Sequence, residues 1–268
     1  MAFWLKLLIG AVAAYALICL VAYLGQRKLM YFPDTERVQP ADEGLDGVSE
    51  RVLATPDGER LIAWYGKARR GQPTLLYFHG NGGGLSMRAS RIEHFMLEGW
   101  GVYMLAYRGF SGSTGHPTEA NNMADARLAY GALLKEGVLP RSVILYGESL
   151  GTGIAARLAT EREVVGVILD APYTSVVDVG AAAYPFLPVR ALLIDRYETT
   201  KYIANVKVPL LILHGDRDPI VPVAMGREVA RLANEPKRLV IIPNGGHTDY
   251  GNNAIEAVRA WMSGLGKG

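Results

Sequence analysis

The hydrophobic positions of the chain form distinct patterns, and each pattern predicts a different kind of element. Residues 7–24 contain no charged side chain. As a helix these residues would extend about 27 Å, close to the apolar thickness of a bilayer. Two later stretches, Val48–Ala54 and Arg60–Gly66, flank the turn residues 55–58 and predict an opening pair of strands.

Beyond residue 66, short apolar runs alternate with longer amphipathic segments. The runs are nearly continuous, as is typical of parallel strands covered on both faces. The predicted strands are residues 74–78, 101–106, 142–146, 166–170, 209–214 and 238–242, and the predicted helices are residues 86–97, 118–136, 150–160, 222–233 and 252–263. The pattern predicts an α/β domain with a mostly parallel eight-stranded sheet and helices on both faces.

The N-terminal apolar run has three interpretations. Its length favours an uncleaved transmembrane helix. A small-x-small pattern at residues 14–16 also fits signal-peptide cleavage, but cutting there would leave residues 17–24 as an exposed apolar end. Bulky Ile18 before Cys19 argues against a lipoprotein site. We therefore expect residues 1–25 to form a transmembrane anchor and residues 26–268 to form the α/β domain.

The charges around the anchor say little about its orientation. Lys6 precedes the apolar run, whereas Arg27 and Lys28 follow it. The positive-inside rule gives nearly a tie, and the basic pair slightly favours a cytoplasmic domain. The single cysteine lies inside the apolar run, so cysteine usage does not indicate a redox compartment.

Composition and motif spacing argue against several classes of function. The formal net charge is +2 with both signs mixed along the chain, which predicts no nucleic-acid partner. The five histidines show no paired metal-ligand spacing, so we expect no metal. Residues 151–156 match G-x-G-x-x-A, but four residues separate that motif from its strand, so a dinucleotide is not expected either. The sequence predicts no cofactor.

The candidate chemistry begins at residues 143–151, where an apolar run breaks into G-x-S-x-G and continues as a helix of small residues. This order predicts a strand, a sharp turn that carries Ser149, and a helix. Ser149 would present its hydroxyl to solvent as a nucleophile, and the backbone N–H of Leu150 would stabilise an oxyanion at the helix N-terminus. The pentapeptide alone is weak, so its context matters.

The context after the serine contains an acid and a histidine, each just beyond a predicted strand. Asp218 follows the strand at residues 209–214, and His247 follows the strand at residues 238–242. The order serine, aspartate, histidine is that of a hydrolase triad built on a parallel sheet. Asp216 is the alternative acid, and either aspartate could instead serve the turn before Pro219.

The chain resembles the α/β-hydrolases, and within them the membrane-anchored α/β-hydrolase-domain group that includes the Bem46-like proteins. The matching blocks cover nearly all of the chain beyond the N-terminal segment and are residues 31–33, 78–83, 107–113, 117–119, 147–151, 214–218 and 246–247.

This resemblance implies roles for individual residues. The His-Gly-x-x-Asp pattern places the acid at Asp218 and leaves Asp216 to the turn. The backbone N–H of Asn81 becomes the second oxyanion donor, with Gly82 as the reserve candidate. Independently of the resemblance, we expect His79 to brace this loop rather than to act as a base. Residues 171–200 occupy the usual place of a lid, which is short here and implies an open site.

The resulting prediction is a membrane-tethered serine hydrolase that cleaves carboxylic esters or thioesters through an acyl-enzyme. A location beside a bilayer favours acyl lipids or acylated proteins as substrates. Two alternatives stay open: a peptidase or amidase of the same fold, and a catalytically silent protein that uses the fold for binding.

Overall fold

We describe a computed structural model that covers residues 1–248 and 251–265. Within these residues the strands are β1 (Phe32–Pro33), β2 (Val48–Ala54), β3 (Arg60–Gly66), β4 (Thr74–Phe78), β5 (Gly82–Gly83), β6 (Gly101–Leu105), β7 (Val143–Glu148), β8 (Gly166–Asp170), β9 (Leu210–Gly215) and β10 (Lys237–Ile242). The helices are α1 (Ala2–Gly25), α2 (Ala89–Leu97), α3 (Glu119–Lys135), α4 (Leu150–Leu158), α5 (Val176–Ala183), α6 (Val189–Leu192), α7 (Thr199–Ile203), α8 (Val223–Leu232) and α9 (Asn252–Met262).

Eight of the strands form one sheet in the order β10-β9-β8-β7-β4-β6-β3-β2. The pairs β2–β3 and β3–β6 are antiparallel, and every other pair in this sheet is parallel. Strands β4, β6, β7, β8 and β9 are buried along their whole length. Their continuous apolar sequences therefore report burial on both faces.

The helices cover both faces of this sheet. The step from β4 through α2 to β6 and the step from β6 through α3 to β7 run in opposite directions across the sheet. Because crossovers between parallel strands are right-handed, α2 and α3 lie on opposite faces. Helices α3, α4, α7 and α8 contact one another in series. On the opposite face an ion pair from Arg259 of α9 to Glu98, just after α2, joins these two helices.

The fold class predicted from the sequence is confirmed, and the bounds of its elements differ only at their ends. The segment 86–97 begins with a 3-10 turn at Ser86–Arg88 before α2 starts. Thr118 caps α3 through its side chain, so the helix starts one residue later than predicted. Strand β7 extends to Glu148 and reaches the serine turn directly.

The lid region contains more regular structure than a short lid implies. Helices α5 and α6 and the start of α7 fall within residues 171–200. Ser175 caps α5 by accepting a hydrogen bond from the N–H of Asp178. The tip between α5 and α6 is apolar and exposed at Tyr184 and Phe186.

Helix α1 runs from Ala2 to Gly25, longer than the uncharged run at both ends. It is long and apolar enough to cross a membrane, and none of its residues is buried in the domain. The chain then turns through residues 26–31 and enters β1, which pairs in parallel with β5. This two-stranded sheet, which the sequence did not predict, joins the exit of α1 to the loop after β4.

Candidate active site

Ser149 occupies a strained turn between β7 and α4. Its backbone has φ 48° and ψ −114°, a region that residues with a side chain rarely adopt. The turn is held by the Ser149 N–H, which donates to the carbonyl of Asp170 at 2.8 Å. Ser149 is only 8% exposed, so its hydroxyl does not project freely into solvent as the sequence suggested.

The glycines around Ser149 are there because other backbone passes too close for a side chain. A Cβ on Gly147 would lie 2.6 Å from the carbonyl oxygen of Gly151. A Cβ on Gly151 would lie 2.0 Å from the carbonyl oxygen of Phe78. Both flanking positions of G-x-S-x-G are therefore fixed by packing of β7, α4 and β4.

Three of the side chains singled out in the sequence form one hydrogen-bonded chain. The Nε2 atom of His247 lies 2.8 Å from the Oγ of Ser149. The Nδ1 atom of His247 lies 2.7 Å from the Oδ2 of Asp218. The loops after β7, β9 and β10 thus bring a hydroxyl, an imidazole and a carboxylate together at the carboxyl edge of the parallel sheet.

The structure brings Asp218, rather than Asp216, to the histidine. The Oδ1 atom of Asp218 accepts hydrogen bonds from the N–H groups of Ile220 and Val221 at 2.8 and 2.9 Å. Burial disfavours the charged form, but hydrogen bonds from His214, His247 and these N–H groups outweigh it and hold the pKa of Asp218 well below its usual range. Asp216 is exposed.

The two N–H groups expected to hold an oxyanion belong to Leu150, which follows the serine in the chain, and to Asn81, in the loop after β4. Leu150 is the first residue of α4, so its N–H has no partner within the helix. The N–H of Asn81 likewise has no hydrogen-bond acceptor among residues 1–248 and 251–265. A Cβ on the neighbouring Gly80 would lie 3.6 Å from the Cβ of Ser149, so this loop passes directly beside the serine.

The exit of α1 holds the loop that carries Asn81. The Asn81 side chain donates to the carbonyl of Met30 at 2.7 Å. Its carbonyl accepts from the N–H of Phe32 at 2.8 Å, and Asp34 donates its N–H to the carbonyl of Gly83. The chain directly after the N-terminal helix is therefore part of the scaffold of the site.

His79 is fully buried beneath the same loop. Its Nδ1 lies 2.7 Å from the carbonyl oxygen of Gly80. Burial and the nearby charge of Arg88 lower the pKa of His79 to about 3. The imidazole is thus neutral, and its contacts fit the structural brace expected from the sequence.

Beside the serine turn, and in contact with the loop that carries Asn81, lies a buried charge cluster that sequence reasoning missed. We define the Glu148 cluster as Glu148, Arg88, Arg91, Asp170 and Tyr77. Glu148 Oε1 lies 2.7 Å from Arg88 Nη2, and Glu148 Oε2 accepts from the Tyr77 hydroxyl at 2.5 Å. Arg91 pairs with both carboxylates, at 3.2 Å from Glu148 and 3.3 Å from Asp170.

This cluster also reaches the histidine loop. Arg91 Nη2 donates to the carbonyl of Thr248 at 3.0 Å, and Thr248 directly follows His247 with φ 51°. A usable signal was present in the sequence: a glutamate at the end of an apolar run, and two arginines at i and i+3 in the segment predicted as the helix 86–97. A charge placed in a buried strand needs a partner elsewhere in the chain.

Family models match two parts of the chain. The model described as serine aminopeptidase, S33, matches residues 70–201. The model described as TAP-like protein matches residues 194–263. Together these ranges include Ser149, Asp218 and His247.

Similar proteins extend the comparison to most of the chain. The Rv2307c protein of Mycobacterium tuberculosis strain H37Rv is 38% identical over 245 residues, which cover 89% of this chain and 87% of that protein. The lysophosphatidylserine lipase ABHD12 of Danio rerio is 27% identical and covers 82% of this chain and 67% of its own. The Pyrococcus furiosus esterase Pf2001 has a TM-score of 0.70 at 19% identity, over 88% of this chain and 99% of its own.

The similarity to Pf2001 shows a shared fold, whereas the higher sequence identity to Rv2307c shows common ancestry. The relatives match this chain in sequence along nearly the whole domain. The sheet order and the serine turn of this chain belong to the same fold. The chain therefore belongs to the α/β-hydrolase superfamily, and its N-terminal apolar helix fits the membrane-anchored group within it.

Proposed function

We propose that the protein is a serine hydrolase that cleaves carboxylic esters or thioesters. The observation that carries this proposal is the unbroken hydrogen-bonded chain from Asp218 through His247 to Ser149, with distances of 2.7 and 2.8 Å. A serine hydroxyl is a poor nucleophile until a base takes its proton, and this arrangement supplies one.

In the proposed reaction the Oγ of Ser149 attacks the substrate carbonyl while His247 Nε2 accepts the hydroxyl proton. Asp218 keeps the other imidazole nitrogen protonated and stabilises the imidazolium. The N–H groups of Asn81 and Leu150 bind the oxyanion. The tetrahedral intermediate collapses, the C–O or C–S bond to the leaving group breaks, and His247 returns the proton to that group. Water then cleaves the acyl-enzyme by the same steps.

Acyl lipids are the preferred substrate class in this proposal. The ABHD12 relative is named as a lysophosphatidylserine lipase, and Pf2001 is named as an esterase. A second candidate is amide cleavage, because the matching family model is named for serine aminopeptidases. Rates on matched ester and amide substrates with the same acyl group separate the two.

We also propose that residues 1–25 form a membrane anchor and residues 26–268 the catalytic domain. The support is an apolar helix of 24 residues that packs no buried side chain into the domain. Arg27 and Lys28 favour a cytoplasmic domain, as in the sequence analysis. Full-length protein should stay in the membrane pellet after a carbonate wash, and its release into the supernatant would remove the anchor from the proposal.

A fluorophosphonate probe tests the catalytic proposal. Folded wild-type protein should be labelled at Ser149, and Ser149→Ala should lose the label with little change in melting temperature, because only one hydroxyl is removed. A matched control is Ser263→Ala, whose hydroxyl donates to the carbonyl of Ala260. Folded wild-type protein that takes up no label would show that Ser149 is not an activated nucleophile.

A further inference from the structure

An apolar cavity of about 290 Å³ lies between the end of α1 and the lid. Its walls include Ala22 and Tyr23 of α1 on one side and Val179 and Ala183 of α5 on the other. Pockets for small ligands span roughly 300 to 1,000 Å³. This cavity is at the lower end of that range, and it is lined mainly by hydrocarbon. It suits one acyl chain better than two.

The cavity reaches the loop that carries Asn81. Asn81 is among its lining residues, and the N–H of Asn81 is a proposed oxyanion donor. A Cβ on the neighbouring Gly80 would lie 3.6 Å from the Cβ of Ser149, so this loop also borders the serine. An acyl chain in the cavity would therefore have its carbonyl end beside the nucleophile and its methyl end between α1 and the lid.

One stripe of α1 faces this cavity and the lid. The partly covered residues of α1 recur at Cys19, Ala22 and Gly25, three residues apart. They are small, and small residues at a helix surface let neighbouring groups approach closely. The remaining residues of α1 are exposed in the structure. The stripe therefore marks the face that the helix presents to the domain.

The exit of α1 is fixed to the lid by polar contacts. Gln26 accepts from the N–H of Ile194 at 2.7 Å and donates to the carbonyl of Leu192 at 3.3 Å. Arg27 lies 3.0 Å from the buried carboxylate of Asp195. These contacts hold the helix in place as a wall of the cavity.

The lid tip extends back along α1. The hydroxyl of Tyr15 donates to the carbonyl of Phe186 at 2.9 Å. Tyr15 lies ten residues before Gly25, which is about 15 Å along a helix axis and half of a hydrocarbon core of about 30 Å. With α1 across the bilayer, the exposed side chains of Tyr184 and Phe186 would lie among lipid chains.

We propose that this cavity binds the acyl chain of a single-chain membrane lipid, which enters laterally from the leaflet that the lid tip reaches. The N-terminal helix is then one wall of the substrate site as well as an anchor. This proposal rests on the proposed hydrolase function for the reaction that follows, but binding of the chain does not depend on that reaction.

The kinetic test uses full-length protein in phosphatidylcholine vesicles and p-nitrophenyl esters from butyrate to palmitate. Ala22→Trp fills the cavity from the helix side. It should lower kcat/KM for palmitate at least tenfold and leave butyrate within twofold. The matched control is Ala13→Trp, nine residues earlier and on the opposite face of α1, which should behave as wild type. Equal losses for both esters, or no loss for palmitate, would overturn the proposal.

A binding test is independent of catalysis. Ser149→Ala protein in the same vesicles is irradiated with a diazirine analogue of lysophosphatidylcholine. Crosslinks should map to residues 22–30 and 176–193 and should decrease in Ala22→Trp. Crosslinks confined to the face of α1 around Ala13 would overturn the cavity as a lipid site. Wild-type protein that crosslinks in the cavity but hydrolyses no ester would refute the proposed function alone.

The same vesicles distinguish the source of the acyl chain. Lysophosphatidylcholine should be hydrolysed faster than an S-palmitoyl peptide, and Ala22→Trp should slow its hydrolysis. Faster cleavage of the S-palmitoyl peptide, with the same sensitivity to Ala22→Trp, would assign the cavity to acylated proteins and contradict the lipid proposal.

Discussion

Two regions near Ser149 are built from opposite materials. The cavity side, between α1 and the lid, is apolar with few polar groups and has Asn81 in its lining. The ionic side is the Glu148 cluster, which buries two carboxylates and two guanidinium groups at the end of the strand that leads into Ser149. An apolar wall tolerates changes in shape and can select an acyl chain by its length. A buried ionic network, in contrast, is stable only in one arrangement. The first side suits selection of a substrate, and the second suits positioning of the catalytic groups.

The proposed triad would carry out the reaction, so its disruption should have the largest effect. Asp218→Asn should lower kcat about 10⁴-fold with little change in KM, because the imidazole loses the partner that fixes its tautomer. The measurement is steady-state hydrolysis of p-nitrophenyl butyrate. Asp216→Asn is the matched control and should stay within twofold of wild type, since Asp216 is exposed. The reverse result would move the acid to Asp216.

The ionic side should dominate stability. Glu148→Gln keeps the shape of the side chain but leaves Arg88 and Arg91 short of a counter-charge in a buried site. Loss of one partner of a buried pair costs about 3–5 kcal/mol. We expect this decrease in the free energy of unfolding of Glu148→Gln, to be measured by urea unfolding in detergent micelles at pH 7. The control Glu136→Gln breaks a half-exposed pair with Arg51 and should cost less than about 1 kcal/mol.

The same variant has a defined pH dependence. Burial opposes ionisation of Glu148, but the charges of Arg88 and Arg91 outweigh it and lower the pKa of Glu148 from its ordinary 4.5. The stabilisation from the ionised carboxylate is therefore full above the ordinary pKa and decreases as pH falls below it toward the lowered value. The stability difference between wild type and Glu148→Gln should shrink below about pH 4.5. A constant difference from pH 7 to pH 3 would contradict this account.

The smallest effect should come from the point where the two sides meet. Asn81→Ala keeps the backbone N–H at that position but removes the side-chain bond to the carbonyl of Met30. One hydrogen bond of about 1 kcal/mol corresponds to roughly a fivefold loss, which should appear in kcat for butyrate. Asn234→Ala is the matched control. Like that of Asn81, the side-chain amide of Asn234 donates to backbone carbonyls, in this case those of Ala204 and Val206. An unchanged rate in Asn81→Ala would mean that this bond does not position the loop.

The elements of the sheet could be predicted because their signal is local. Strands β2, β3, β4 and β8 have the predicted bounds, since a buried parallel strand is a continuous apolar run ended by polar or glycine residues. The order of serine, aspartate and histidine could also be predicted from local signals. Each of these residues follows one such run, and the fold brings strand ends together at one edge.

What could not be predicted depends on partners distant in sequence. Strands β1 and β5 have two residues each, too few to show any period. Glu148 and Arg88 are 60 residues apart, and no local pattern pairs them. The expectation of an exposed Ser149 hydroxyl was wrong, because the hydrogen-bonded His247 lies against it in the folded chain. The roles of the site residues themselves stay predictions for the experiments above.

With residues 1–25 as the proposed membrane anchor, the pairing of β1 with β5 determines how far from the bilayer the protein can act. A flexible linker of n residues lets a tethered domain sample a radius of about 5–6 Å × √n. Here only residues 26–31 separate α1 from β1, and hydrogen bonds such as those from the N–H groups of Lys28 and Tyr31 to the carbonyls of Gly25 and Arg27 fold them into turns. With α1 in a membrane, the catalytic edge has no tether to extend. The working volume of the protein is a single layer at the membrane surface, and encounter with substrate becomes a two-dimensional search.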